Sequence, residues 1–196
     1  MSLPEPITAT ALVTKIFENL HVPYLIVGSF ASTLYGTVRT TQDVDIVAVL
    51  KSEHIRPFIT ALNSDFFIDE EMIVDAFKHN ASFNIIHRET MFKVDIFIPS
   101  ATPFQQSQFI RAKKQIITDN PMISAYFASP EDTILSKLSW YRMGGEVSER
   151  QCLDIIGMLK VQANALDFEY MRKWAIELNI ADLLEKAMQK SAGIQE

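Results

Sequence analysis

Leu25-Ile26-Val27-Gly28-Ser29 is the stretch from which the fold can be predicted, together with Asp43-Val44-Asp45-Ile46 further along the chain. The first is a short apolar run that ends in Gly-Ser, and the second is an apolar run that opens with two aspartates. Side chains alternate between the two faces of a strand, so Asp43 and Asp45 share a face, about 7 Å apart. We therefore expect two neighbouring buried strands, one of which carries a pair of carboxylates at its start.

The two aspartates favour a divalent cation. Carboxylates at this spacing repel each other in an empty site, and a hard cation that prefers oxygen ligands turns that repulsion into binding. The alternative is a pair of strand-edge acids that face solvent. The residues that follow, 46–49, are apolar on both faces of the strand. Acids at the mouth of such a buried strand need a partner, which favours the metal interpretation.

Gly28 and Ser29 predict an anion site. They precede a short helical segment, Phe30 to Tyr35, and a helix that begins after a tight turn directs its first backbone N–H groups at an anion. Gly28 as a simple turn and Ser29 as a simple N-cap are compatible alternatives, because they use the same geometry. A site that binds both a phosphate and a metal suits a nucleotide.

The order of these features resembles the signature of the nucleotidyltransferase (polymerase β-like) superfamily. Gly28-Ser29, thirteen intervening residues and Asp43-Val44-Asp45 carry the resemblance, which extends over roughly residues 24 to 98. The run from Arg39 to Asp45 is also similar to the compact bacterial branch that includes AbiEii-type toxins. The resemblance implies an α+β fold with a mixed sheet flanked by helices. It also implies transfer of a nucleotidyl group from an NTP to an acceptor hydroxyl, with pyrophosphate leaving.

A third carboxylate on a later, apolar strand is part of what the resemblance implies, and Asp95 within 92–98 fits best. Asp43 and Asp45 would then hold two Mg²⁺ (or Mn²⁺) ions, and Asp95 would complete the second site and take the proton of the acceptor. Lys93 lies on the same strand face as Asp95, so a simple ion pair between them is the alternative.

Three further charged residues are candidates. The resemblance implies that a helical lysine, here Lys137, points at the triphosphate, whereas a surface lysine with a buried stem is the common alternative. Arg39 either contacts a phosphate from the loop before the metal strand or is a solvated loop arginine. For Asp154 we favour an exposed pair with Arg150, one helical turn earlier, over an acid that lines a cleft.

The pattern of elements changes near Ser129. Before it, strands and helices alternate, and the segments 82–87 and 91–98 predict a hairpin. A helix from Glu53 to Leu62 is expected to accept Pro57 only in its first turn. Ser129-Pro130-Glu131-Asp132 has the residue types of a helix start, and no strand pattern follows it. We expect a nucleotidyltransferase-like core over residues 1–128 and an all-helical C-terminal region over residues 129–196, packed on the core.

Composition limits the classes of partner. The net charge of −6 argues against a long duplex nucleic-acid footprint. We interpret the single short basic cluster at 111–114 as an edge strand protected by charge, with a phosphate track as the alternative. One cysteine, Cys152, suggests a reducing compartment. With no signal-peptide pattern and no apolar run of membrane length, we expect a cytoplasmic protein that does not bind membranes.

The expected partners are an NTP and an acceptor that the sequence does not identify: a small molecule, a protein or an RNA end. Two alternatives stay open. One is a catalytically silent nucleotide- or partner-binding module, such as the antitoxin or scaffold half of a two-gene system. The other is a toxin-type transferase that acts on tRNA or protein in a bacterial toxin–antitoxin-like system. The complete carboxylate set disfavours the first, because a retired site has no reason to keep costly acids.

Overall fold

The computed structural model describes residues 4–36 and 41–193. These residues form two compact units, one built from residues 4–27 and 41–127, the other from residues 28–36 and 128–193. In this division the short helix that begins at Gly28 groups with the C-terminal helices, and Ala128 falls in the second unit. The predicted boundary at 128/129 stays a prediction.

The first unit contains a mixed sheet. Seven strands of the described residues form it in the order β3-β4-β5-β2-β1-β7-β6. Two neighbouring pairs, β2–β5 and β1–β7, are parallel, and the other pairs are antiparallel. The α+β mixed sheet predicted from the sequence is thereby confirmed. The strands are β1 (Tyr24–Val27), β2 (Asp43–Ala48), β3 (Phe66–Phe67), β4 (Ser82–His87), β5 (Lys93–Phe97), β6 (Lys113–Asp119) and β7 (Met122–Phe127).

Helices complete both units. Those of the first unit are α1 (Glu5–Asn19), α3 (Ser52–Leu62), α4 (Glu70–His79) and α5 (Pro103–Ile110). Those of the second unit are α2 (Gly28–Tyr35), α6 (Pro130–Met143), α7 (Glu149–Gln162), α8 (Phe168–Glu177) and α9 (Ala181–Ser191). None of the helices in the described part of the chain combines the length and apolar character that crossing a bilayer requires.

One face of the sheet is an apolar core. Every second residue of β2 and β5 is fully buried, a set that consists of Val44, Ile46, Ala48, Val94 and Ile96. On this side the ring of Phe58 in α3 stacks on Phe17 in α1, with ring centroids 5.2 Å apart, and meets Phe83 of β4 edge-on. Burial of this face fixes the strand register, because a slip of one residue would bring charged side chains into the core.

Candidate active site

Four charged side chains lie on the opposite, half-buried face of the sheet. In the parallel pair β2–β5, Asp45 is level with Asp95, and Asp43 is level with Lys93. Directly paired residues on neighbouring strands project from the same face, and the residues between them, such as Val44 and Val94, point into the core. The prediction that Asp43 and Asp45 share a face is confirmed, and Asp95 lies on that face as well.

Lys93 forms an ion pair within this group. Its Nζ lies 2.7 Å from Oδ2 of Asp95, with side-chain exposures of 42% for Lys93 and 20% for Asp95. The hydrogen bond to Asp95 raises the pKa of Lys93 above its usual value; partial burial opposes this rise, and the charges of the three aspartates add to it. Lys93 therefore stays positively charged at neutral pH. The structure thus contains the Lys93–Asp95 ion pair that the sequence analysis gave as the alternative to metal binding by Asp95.

The three aspartates supply the chemistry that a hard cation needs, since each carries carboxylate oxygens and they occupy adjacent positions on two neighbouring strands. Their side chains do not converge: within residues 4–36 and 41–193, no three His, Cys, Asp or Glu side chains are placed to hold a metal ion together. The donor types and the register fit a divalent cation, provided that Asp95 turns away from Lys93. The metal site therefore stays a prediction.

Thr41 orients Asp43. Its buried Oγ1 lies 2.9 Å from the carbonyl oxygen of Asp43 and 3.2 Å from its Oδ1, and it can donate to either. Sequence reasoning gave Thr41 no role, although a threonine two residues before an acid at a strand start is a recognisable local hydrogen-bonding pattern. Lys93 was considered only as the partner of Asp95, and its position beside Asp43 became visible through the strand register.

The helix α2 begins at Gly28, two residues before the predicted start at Phe30. Gly28 has φ +64°, in the left-handed region that favours glycine, and it is the first residue of α2. The hydroxyl of Ser32 donates to the carbonyl oxygen of Ser29, at 2.9 Å, inside the first turn. The predicted helix after β1 is confirmed, with Gly28 and Ser29 as its first two residues, and anion binding by Gly28 and Ser29 stays a prediction.

Lys137 and Asp154 form a buried ion pair. Nζ of Lys137 lies 2.9 Å from Oδ2 of Asp154, with side-chain exposures of only 9% and 10%. The predicted exposed pair between Asp154 and Arg150 is therefore wrong, because α7 turns Asp154 toward α6. A weak contact of 3.5 Å joins Asp154 to the hydroxyl of Ser32. The predicted role of Lys137 toward a triphosphate stays a prediction, and Arg39 lies outside the described residues.

The second half of α2 is fixed to one face of α7. A Cβ on Gly36, which follows α2, would lie 3.0 Å from Cγ and 3.1 Å from the backbone nitrogen of Met158, so the two backbones approach closely. One turn further along α7, Nε2 of Gln162 donates to the carbonyl oxygen of Tyr35, at 2.9 Å. These contacts use residues spaced by four along α7, which fall on one side of a helix.

Comparison with known proteins supplies the family. A family model described as "Nucleotidyltransferase of unknown function (DUF6036)" matches residues 7–191. A search of curated protein sequences found no match.

Solved structures share the fold. An antigenic nucleotidyltransferase-like protein from Paracoccidioides brasiliensis is 18% identical with a TM-score of 0.56, and the match covers 93% of this chain and 91% of that one. The lincosamide antibiotic adenylyltransferase LnuA, bound to lincomycin, is 15% identical with a TM-score of 0.52, over 82% of this chain and 99% of that one. ANT(2'')-Ia in complex with adenylyl-2''-tobramycin is 9% identical with a TM-score of 0.56, over 88% and 96%. At these identities the likeness establishes the fold.

Proposed function

The chain belongs to the nucleotidyltransferase family whose model covers residues 7–191, and we propose that it moves a nucleoside monophosphate from an NTP to an acceptor hydroxyl, with release of pyrophosphate. One observation carries the proposal: the register of β2 on β5, in which Asp43, Asp45 and Asp95 share one half-buried face of the sheet. Three carboxylates on one face are costly to a fold unless a cation offsets them.

The proposed reaction is an in-line displacement. The acceptor oxygen attacks the α-phosphorus, the bond between that phosphorus and the bridging oxygen breaks, and pyrophosphate leaves with the electron pair. Asp43, Asp45 and Asp95 would hold Mg²⁺ or Mn²⁺, and a carboxylate oxygen of Asp95 would take the proton of the acceptor hydroxyl. A bound divalent cation supplies neutralisation of the charge on the triphosphate and on the leaving pyrophosphate.

Backbone amides are the proposed ligands of the outer phosphates. The positive φ of Gly28, the first residue of α2, supports this role, because the first N–H groups of a helix are directed out of its N-terminus. Lys137 and Arg39 are proposed as additional positive charges for the triphosphate. For Lys137 this requires that its ammonium exchange Asp154 for a phosphate.

Transfer of label from an NTP tests the proposal. The protein is incubated with each α-labelled NTP, Mg²⁺ or Mn²⁺ and a cell extract, which is then separated into small-molecule, RNA and protein fractions. We expect one fraction to become labelled, and Asp45→Asn to lower the rate by roughly a hundredfold or more. Asp119→Asn, which removes an exposed aspartate at the end of β6, is the matched control and should retain full activity.

Small hydroxyl-bearing molecules are the first acceptors to test, because two of the similar structures are named for antibiotic substrates or contain an adenylylated antibiotic. Lincomycin and tobramycin are available probes of this class. If no NTP and metal combination labels any fraction or either probe, the transferase proposal fails.

A catalytically silent nucleotide-binding module is the second candidate. The ion pair between Lys93 and Asp95 favours it, because an acid that is already neutralised by a lysine needs no metal. Such a module would be stabilised against heat by an NTP in the presence of EDTA, and it would transfer no label. A transferase that uses the carboxylates for metal would need the divalent cation for both effects.

A further inference from the structure

Lys93 lies among the acidic side chains on one face of the sheet. It is level with Asp43 on the neighbouring strand, it precedes Asp95 by two residues on its own strand, and its ammonium lies 2.7 Å from Asp95. A positive charge thus lies within the group of carboxylates that the proposed function assigns to a divalent cation.

We propose that the Lys93 ammonium is an internal competitor of the divalent cation. It neutralises the carboxylates while no metal is bound, weakens the binding of metal alone, and leaves Asp95 when metal arrives together with a nucleotide. The inference rests on the proposed function, since it concerns the same three aspartates.

The physical reason is that an ammonium and a divalent cation cannot share the same carboxylate oxygen without strong repulsion. Metal alone must therefore displace Lys93 and leave its charge beside a cation. A triphosphate brings several negative charges, which compensate both the metal and the displaced ammonium. Binding of metal and binding of nucleotide should accordingly strengthen each other, and Lys93 is the residue that couples them.

The surroundings of the ion pair argue against a purely structural role. Lys93 and Asp95 belong to the same strand, and β5 is already paired on both sides, with β2 and with β4. The lysine side chain is 42% exposed, and ion pairs with that degree of exposure contribute little to folding. The flexible lysine stem allows the ammonium to leave without a change in the backbone.

Metal binding without nucleotide tests the inference directly. Lys93→Met removes the charge and keeps an unbranched apolar stem. A Mn²⁺ titration followed by electron paramagnetic resonance should give a Kd about tenfold lower for Lys93→Met than for the wild type. Lys93→Arg keeps the charge and should retain the weak affinity of the wild type. Lys51→Met, which removes an exposed lysine beside Glu53, is the control and should leave the Mn²⁺ affinity unchanged.

Thermal melts provide a second measurement that separates charge neutralisation from structure. In EDTA, Lys93→Met should melt below the wild type, because the carboxylates lose their counterion. In excess Mn²⁺ its Tm should rise by more than that of the wild type. A structural role would instead lower the Tm equally in both conditions. Lys93→Gln serves as a second neutral variant if the methionine variant does not fold.

The outcomes distinguish this inference from the proposed function. If the wild type transfers label from an NTP while both neutral variants bind Mn²⁺ no more tightly than the wild type, the competitor role is overturned and the transferase stands. If neither the wild type nor the neutral variants bind Mn²⁺ and no label is transferred, both proposals are overturned.

Discussion

Asp45 has a strand neighbour on each side, Val27 of β1 and Asp95 of β5. Its carboxylate is therefore held in the interior of the sheet, half-buried and level with a second carboxylate. Like charges at directly opposite positions of a sheet destabilise it. The divalent cation proposed above would offset this repulsion.

At the scale of this residue, we predict that Asp45→Asn reduces the stabilisation by metal and nucleotide without lowering the stability of the free protein. The variant should melt no lower than the wild type in the absence of metal, because the substitution also removes repulsion. With Mg²⁺ and an NTP at a hundredfold excess over Kd, the wild type should gain roughly 2.7 kcal/mol of stability, and the variant should lose most of this gain. The measurement is a thermal melt of each protein with and without ligands, with Asp119→Asn as the control. An early-melting variant that keeps the ligand-induced shift would instead indicate a structural role for Asp45.

Helix α6 shows how much of an element can be specified locally. Ser129 is fully buried, its Oγ accepts from the backbone N–H of Asp132 at 3.1 Å, and its hydroxyl donates to the carboxylate of Asp132 at 3.0 Å. Pro130 occupies the first helical position. The predicted N-cap is confirmed, because its signals are all contained in four consecutive residues.

For this element we predict that Ser129→Ala lowers the free energy of unfolding by about 1 kcal/mol, through loss of the N-cap hydrogen bond. Ser64→Ala removes an exposed hydroxyl that donates to the adjacent Asp65, so it should change stability by no more than a few tenths of a kcal/mol. Urea denaturation of both variants gives the comparison. Equal midpoints for Ser129→Ala and the wild type would contradict the prediction.

Helix α3 corrects one expectation. It begins at Ser52, so Pro57 lies in its second turn and the predicted placement in the first turn is wrong. The backbone N–H that proline lacks would have bonded to the carbonyl of Glu53, which is exposed on the helix surface. Water can hydrogen-bond to that carbonyl, so the proline is tolerated there.

At the scale of the whole molecule, charge limits the partners. The chain carries 24 acidic and 18 basic residues of the Asp, Glu, Lys and Arg types. The two lysines of its short basic cluster, Lys113 and Lys114, begin β6, the last strand in the sheet order. Lys114 there faces Glu18 at 3.7 Å and lies over the ring of Tyr126. The interpretation as a charged edge strand is confirmed for these two lysines, whereas Arg111 lies at the C-terminal end of α5.

We therefore predict weak binding to duplex nucleic acid, since binding of this kind depends on neutralising phosphates with a basic surface. Fluorescence anisotropy with labelled DNA and RNA duplexes at ~150 mM salt should give dissociation constants above the micromolar range. Sub-micromolar binding with a steep dependence on salt would overturn the prediction and would favour a nucleic-acid acceptor.

The sequence by itself determined the features that depend on neighbouring residues. The alternation of β2 put Asp43 and Asp45 on one face, the Gly28-Ser29 turn began a helix, and Ser129 capped another. The hairpin of β4 and β5 is confirmed as well, with a short connection and an antiparallel pairing. These features could be predicted because side-chain periodicity, turn chemistry and capping act over only a few residues.

Only the tertiary structure decided which elements are neighbours. The alternation of polar and apolar residues along β2 does not depend on which strand pairs with it. The parallel pairing of β2 with β5 brings Asp95 and Lys93 beside Asp43 and Asp45. The partner of Asp154 depended in the same way on which helix faces α7, and that helix supplies Lys137. Which charged side chains form a pair depends on the distance between them in the folded chain. That distance is set by the packing of the apolar faces of the strands and helices, to which these charged side chains do not contribute.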